Sequence, residues 1–111
     1  MEIKEQKINE VIVLEILGRV DTTNYGKLDE ILSDNITKNE KNIIIDCSEM
    51  DYISSSGLRI FLTGFKKITA INGNYFLCGL QESIKEIFDI SGFTSIFKIF
   101  INQEDALRNI T

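Results

Sequence analysis

Residues 51–59 read DYISSSGLR, and this short stretch decides how the whole chain is interpreted. Shortly before it, residues 43–45 are consecutive isoleucines, a β-branched apolar run that is typical of a buried strand. From the end of this stretch onward, apolar side chains recur at helical spacing, at Leu58, Phe61, Leu62, Phe65 and Ile68. The serines at 54–56 are therefore predicted to lie in a strand-to-helix turn, at or just before the helix N-terminus.

The serines of this turn have two interpretations. The first backbone N–H groups of a helix have no partners within the helix, and the peptide dipoles place partial positive charge there. A serine hydroxyl accepts well from those groups, so the serines can be plain caps, and Gly57 can simply allow close packing. A phosphate on one hydroxyl would also be stabilised there, and it would add about −1.5 to −2 charges at pH 7.

Acidic residues are expected near the serines. Asp51 lies three residues before the first of them, and Asp46 follows the isoleucine run. We predict that the central strand covers residues 43–46, which places Asp46 at the carboxyl end of a strand, where α/β sheets bind ligands. Asp46 could equally cap the following turn. Asp21 is also expected near the serines, as an acid that can stabilise a helix N-terminus.

The rest of the chain predicts an α/β fold in a single domain that spans residues 1–111. Residues 2–7 and 11–17 are expected to form an antiparallel hairpin that turns at Asn9 and Glu10. Strands and helices then alternate, which predicts a small mixed sheet with right-handed crossovers, packed with about four helices.

The later elements follow from apolar runs and turn residues. Further strands are expected at residues 75–78 and 97–101. Helices are expected after Thr22 or Thr23, from about Ser56 to Ala70, around Ile84 and after the cap Asn102. Ile60 falls off the apolar stripe of its helix, so we expect it at the surface, where it would suit a partner contact.

Composition excludes several classes of function. The chain has 17 acidic and 12 basic residues, and no basic stripe alternates with aromatic residues, so direct nucleic-acid binding is not expected. Histidine is absent, so no Ser-His-Asp or Cys-His centre can be built, and two cysteines are too few for a thiolate-only zinc site. The sequence therefore predicts no enzyme, no cofactor and no metal site.

Cysteine usage and hydropathy bear on the compartment. Cys47 and Cys78 fall in apolar strands, so we expect reduced core thiols, with a disulfide as the alternative. Residues 1–4 lead into charge instead of an apolar run, and no stretch reaches membrane-spanning length. These features predict a cytoplasmic protein without a membrane span.

Residues 43–62, IIIDCSEMDYISSSGLRIFL, resemble the signature of STAS domains, above all that of the stand-alone anti-sigma factor antagonists, or anti-anti-sigma factors. In that family an apolar strand and a polar turn precede D-S-[ST]-G-L or [FY]-I-S-S-A-G-L at a helix start. Residues 18–21, GRVD, are similar to the family's G-x-[LIV]-D after its second strand. The two motifs stand in the expected order and extend the resemblance over nearly the whole chain, with the same small mixed sheet as its implied fold.

The resemblance implies a phosphorylation-controlled binding module. Unphosphorylated, the domain would bind an anti-sigma factor of the serine-kinase type and so free a sigma factor. The kinase would then phosphorylate the domain and release it, and a serine phosphatase would reset the switch. In the first family form the acceptor directly precedes glycine, which maps onto Ser56, with Ser55 as the runner-up. The implied partner surface consists of Asp21, Asp46, Ser54, Ser55, Gly57 and Ile60.

Two other roles remain open at this stage. Ser54 stands where the first family form has Asp, as it does in the second form. The second form, however, has Ala in place of Ser56, so the chain combines both patterns.

STAS-like domains also serve as accessory or docking parts of membrane transporters, where the serines would be caps, although three intact hydroxyls favour the switch. An enzyme with Ser56 or Cys47 as nucleophile would lack a histidine base, and no glycine-rich phosphate loop supports nucleotide binding.

Overall fold

The computed structural model describes residues 1–110 and forms an α/β fold. Within these residues, five strands and four α-helices follow one another, with a short 3-10 helix at Phe93–Ser95. Their bounds are β1 (Glu2–Ile8), β2 (Val11–Val20), α1 (Tyr25–Thr37), β3 (Asn42–Ile53), α2 (Ser55–Ala70), β4 (Asn74–Cys78), α3 (Glu82–Ile90), β5 (Lys98–Phe100) and α4 (Gln103–Arg108). The predicted fold class, a small mixed sheet packed with helices, is confirmed.

The sheet has the same strand order as the chain, β1-β2-β3-β4-β5. β1 pairs with β2 antiparallel, and every later pair is parallel. The hairpin turns at Asn9 and Glu10, whose φ angles are 47° and 67°. A two-residue turn with positive φ at both positions matches the right-handed twist of the flanking strands, so the predicted opening hairpin is confirmed.

The helices divide the core into two unequal parts. Right-handed crossovers that all step in the same direction along a sheet place their helices on one face. α1, α2 and α3 accordingly cover one face, where the larger core includes Leu14, Ile45, Phe61 and Phe88. The short α4 covers the other face, over a smaller cluster of Val11, Val13, Ile44, Phe76, Cys78 and Ala106.

β3 is much longer than its isoleucine run. It pairs with β2 as far as the Val20–Ile53 pair, whereas β4 ends at Cys78, opposite Asp46. The predicted strand end at Asp46 is therefore wrong. Residues 48–52 are mostly polar and indicated a turn, but they continue the strand because β2 also extends, through two register shifts, and offers them a partner. The turn that carries the serines begins only after Ile53.

Ile60 also differs from its prediction. It is buried, with 8% of its surface exposed, and it belongs to the main core. α1 packs alongside α2, so the buried arc of α2 is wider than the apolar stripe that faces the sheet. Ile60 therefore serves packing and is not available as an exposed contact.

Both cysteines are buried and free. Cys47 belongs to the core under α1–α3, and Cys78 to the core under α4. Desolvation is the main cause that raises the pKa of Cys78 to about 12 and the pKa of Cys47 well above its ordinary value. Among residues 1–110, no helix combines the length and the apolarity needed to cross a membrane.

Candidate functional site

Ser54 is the cap of α2. Its backbone is extended, and its Oγ accepts a hydrogen bond from the backbone N–H of Gly57 at 3.2 Å. Its own N–H donates to the carbonyl oxygen of Val20 at 2.8 Å. The residue is almost completely buried. The capping interpretation thus holds for Ser54, whose hydroxyl is committed to the fold.

Ser55 and Ser56 are the first two residues of α2 and differ from Ser54. Ser55 is exposed and Ser56 is half-buried. Neither hydroxyl makes a hydrogen bond within the part of the chain that the structure describes. Both lie where the helix dipole and the unpaired N–H groups favour negative charge. Either hydroxyl can therefore be modified without breaking an existing interaction.

Gly57 lets the first turn of α2 approach the sheet closely. A Cβ atom at this position would lie 2.8 Å from Cγ1 of Ile53 and 2.8 Å from Cγ1 of Val20. Both of these residues are buried, so neither side chain can move aside into solvent. Close packing is therefore a sufficient reason for glycine here. It also keeps the first turn of α2, which carries the serines, close to the ends of β2 and β3.

Asp21 organises the loop between β2 and α1. Its Oδ1 accepts from the Thr23 hydroxyl at 2.6 Å and from the Thr23 backbone N–H at 2.9 Å. These two hydrogen bonds, more than the guanidinium of Arg19 at 3.7 Å, lower the pKa of the Asp21 carboxyl. Asp21 is thus held as a carboxylate at the end of β2.

The predicted cap of α1 is wrong. Asn24 occupies the N-cap position, and neither Thr22 nor Thr23 does. The Asn24 side chain is turned back toward the strand: its Oδ1 accepts from the Asp21 N–H at 2.9 Å, and its Nδ2 donates to the Arg19 carbonyl at 2.9 Å. Thr23 does not cap the helix because its hydroxyl and its N–H both donate to the Asp21 carboxylate, within the loop that precedes the helix.

An Arg–Tyr pair that was not predicted from the sequence lies on the same edge. The Arg19 guanidinium lies over the Tyr52 ring, 4.1 Å from its centroid. A register shift between Gly18 and Arg19 brings the two residues opposite each other on β2 and β3. Tyr52 remains 37% exposed and Tyr25 38%. The only signal in the sequence was the aromatic residue before the serines, and it was not enough without the extended pairing of β3.

Asp46 does not lie beside the serines. It sits within β3, 7% exposed, where its Oδ1 accepts from the Ser48 N–H at 2.9 Å and its Oδ2 accepts from Gln103 Nε2 at 2.7 Å. Gln103 is the first residue of α4, which covers the opposite face from α2. Asp46 therefore fastens α4 to the sheet, and the expectation that it joins the serine site is wrong in position.

The ends of β2 and β3 and the start of α2 together form one polar edge, here called the serine edge and consisting of Arg19, Asp21, Asp51, Tyr52, Ser55 and Ser56. Ser54 and Gly57 support it from behind. Among the described residues, no group of three or more His, Cys, Asp or Glu side chains is arranged to hold a metal ion. What the edge offers is a surface of mixed charge with two available hydroxyls.

The fold and this edge define a small α/β domain in which the N-terminal end of one helix, α2, is accessible at the surface. The chain belongs to the STAS domain family: the family model for the STAS domain matches residues 2–106.

Known proteins are similar to this chain over nearly its whole length. It is 34% identical over 106 residues to BtrV of Bordetella bronchiseptica, which is named an anti-sigma factor antagonist, with 96% of this chain and 91% of that protein covered. A Thermotoga maritima protein that is named an anti-sigma factor antagonist superposes with a TM-score of 0.94 at 17% identity, over 97% of this chain and 93% of the other. SpoIIAA of Bacillus in its phosphorylated form superposes with a TM-score of 0.78 at 18% identity, over 96% and 97%.

Proposed function

We propose that this protein is an anti-sigma factor antagonist, and that phosphorylation of Ser56 switches its binding off. The names of its relatives support the first part, since a protein of 34% identity over nearly its full length bears this name. The second part is supported by a difference in hydrogen bonding among the three serines. The Ser54 hydroxyl caps the helix, whereas the hydroxyls of Ser55 and Ser56, at the helix start, bond no other described residue.

Ser56 is the proposed acceptor and Ser55 the alternative. Ser56 directly precedes Gly57, as the acceptor does in the family pattern that the chain resembles. Ser56 is also half-buried, on the side of α2 next to its buried face. A phosphate there would change any contact that a partner makes with this side of the helix. Ser55 is exposed and sterically open to a kinase, so site mapping must separate the two.

The proposed switch acts through charge, not through refolding. A phosphate at the start of α2 meets the favourable end of the helix dipole, so the domain need not change shape. The same phosphate adds negative charge to an edge that already carries Asp21 and Asp51. At an interface, like charges and desolvation can cost several kcal/mol, or roughly a thousandfold in affinity.

The proposed partner surface is the serine edge. Compared with the surface that the resemblance implied, it includes Arg19, Asp51 and Tyr52. It leaves out Asp46 and Ile60, because both are buried in other roles. The partners are an anti-sigma factor with serine-kinase activity and a phosphatase that resets the switch, all in the cytoplasm. The protein itself acts by binding, without catalysis. A docking role in a membrane transporter is the alternative, and the names of the relatives favour the antagonist.

The test is phosphorylation by a serine-kinase anti-sigma factor from the same genome. Wild type, Ser56→Ala, Ser55→Ala and the double variant are incubated with kinase and ATP, and the products are followed by intact mass and site mapping. We expect a single phosphate on wild type and Ser55→Ala, and none on Ser56→Ala. Full modification of Ser56→Ala would move the acceptor to Ser55. A folded wild type that no candidate kinase modifies would favour constitutive docking.

A further inference from the structure

Arg59 stands one helical turn after the two available serines. It is four residues beyond Ser55 and three beyond Ser56, the two spacings at which side chains on a helix are neighbours. At about 100° per residue, Arg59 points about 40° from Ser55 and about 60° from Ser56, between the two. Long side chains on a helix also lean toward its N-terminus, so the guanidinium of Arg59 can reach the first turn.

The charge of Arg59 is uncommitted. Of the three arginines in the chain, Arg19 is within 4 Å of Asp21, and Arg108 is paired with Glu104 and Asp105. Arg59 is exposed and has no carboxylate within 4 Å among residues 1–110, although acidic residues outnumber basic ones in the chain. The buried face of α2, which contains Gly57, Phe61 and Gly64, lies on the opposite side of the helix.

We infer that Arg59 is the intramolecular counter-ion of the phosphoserine. This inference rests on the proposed function, because it concerns the modified state of the same site. A guanidinium presents several donors in a planar fork that matches the oxygens of a phosphate, so it pairs with phosphate better than an ammonium does. The phosphate therefore changes two features of the surface at once: it adds negative charge, and it withdraws the cation of Arg59 from any partner.

The pairing is a property of the phosphorylated protein alone, so it can be measured without a kinase. Phosphoserine is installed at position 56 during translation, in wild type and in Arg59→Gln. The matched control is Lys66→Gln, an exposed cation on the same helix that lies nearly two turns beyond Arg59. The pKa of the phosphate is read from the pH dependence of its ³¹P chemical shift at low and high salt.

Asp21, Asp51 and the helix N-terminus act on the phosphate equally in all three proteins, so the difference between the proteins isolates Arg59. We expect the phosphate pKa to be lower in wild type than in Arg59→Gln by about 0.15 to 0.7 at low salt, the range of an exposed ion pair, with Lys66→Gln equal to wild type. Arg59→Lys should restore part of the difference. Equal phosphate pKa values in wild type and in Arg59→Gln would overturn the inference, whether or not a kinase ever modifies Ser56.

Discussion

The backbone N–H of Ser54 donates to the carbonyl oxygen of Val20 at 2.8 Å, which ties the residue before α2 to the end of β2. The start of the helix is therefore fixed to the sheet by the main chain before any side chain contributes. The Ser54 hydroxyl can therefore be removed without losing this main-chain bond. Its only hydrogen bond among the described residues is the cap to Gly57.

Replacing Ser54 by Ala should destabilise the domain by about 1 kcal/mol, because the N–H of Gly57 loses its acceptor in a buried position. The free energy of unfolding is measured by urea denaturation. Ser55→Ala serves as the control, since it removes an exposed hydroxyl that bonds no described residue and should change stability by less than about 0.5 kcal/mol. Equal losses for the two variants would contradict the assignment of Ser54 as the cap.

Gly57→Ala should destabilise the domain by about 1 to 3 kcal/mol, the usual cost of forcing extra volume into a packed core. The new methyl group would meet Val20 and Ile53 at 2.8 Å. Gly26→Ala is the matched control in α1, where a Cβ would meet nothing within 4 Å, and it should be neutral or slightly stabilising. If Val20→Ala restores part of the loss in a Gly57→Ala background, the steric cause is established.

Tyr75→Phe should leave the domain as stable as wild type or more stable. The Tyr75 hydroxyl is buried and has no hydrogen-bond partner among the described residues, a state that costs about 1 to 3 kcal/mol. Burial also raises the pKa of this phenol well above its ordinary value, so it should stay protonated when exposed tyrosines ionise. Thermal unfolding and absorbance titration check both points. A loss of more than about 1 kcal/mol would reveal a partner for the hydroxyl.

Thr23→Val should raise the pKa of Asp21 toward its ordinary value. The substitution removes the hydroxyl hydrogen bond, which lowers this pKa more than the backbone hydrogen bond does. A carboxyl whose pKa is lowered on folding adds stability above its unfolded pKa, near 4, and that stability is lost as pH falls through the folded pKa. The stability difference between wild type and Thr23→Val should therefore be fully present at neutral pH and disappear in acid. Carboxyl ¹³C titration, with Thr22→Val as the control, measures the pKa directly.

Ser56→Asp should weaken binding to the anti-sigma partner while leaving stability nearly unchanged, because an acid is tolerated in the first turn of a helix. A drop in affinity of about tenfold or more is expected from like-charge contact at an interface. Calorimetric titration gives the affinity, and Ser56→Asn separates charge from size. If Ser56→Asp unfolds the domain, the role of the residue is structural.

The alternation of strands and helices was sufficient to predict the fold, because each element carries its own apolar period. The start of α2 was predicted to within one residue for the same reason, since capping chemistry is local. Asp46, Ile60 and the cap of α1 were wrong because each depends on how neighbouring elements meet. Asp46 lies inside a strand because β2 extends beside β3, Ile60 is buried in the main core on a helix that packs beside α1, and Asn24 turns back to the end of β2.

The Arg19–Tyr52 pair shows the same limit. The two residues are 33 positions apart, and a register shift decides whether they meet. No local pattern encodes such a shift. Site residues on one element could thus be predicted from the sequence, while those that meet across strands required the structure.

The identity of strand order and chain order has a consequence for synthesis on the ribosome. Each strand from β2 onward pairs with the strand made just before it, so the sheet can grow as the chain emerges, without waiting for a distant segment. The face under α1–α3 is covered progressively in the same order. The opposite face stays bare until α4 emerges, so a chain halted before Gln103 would display Val13, Ile44 and Phe76 to chaperones.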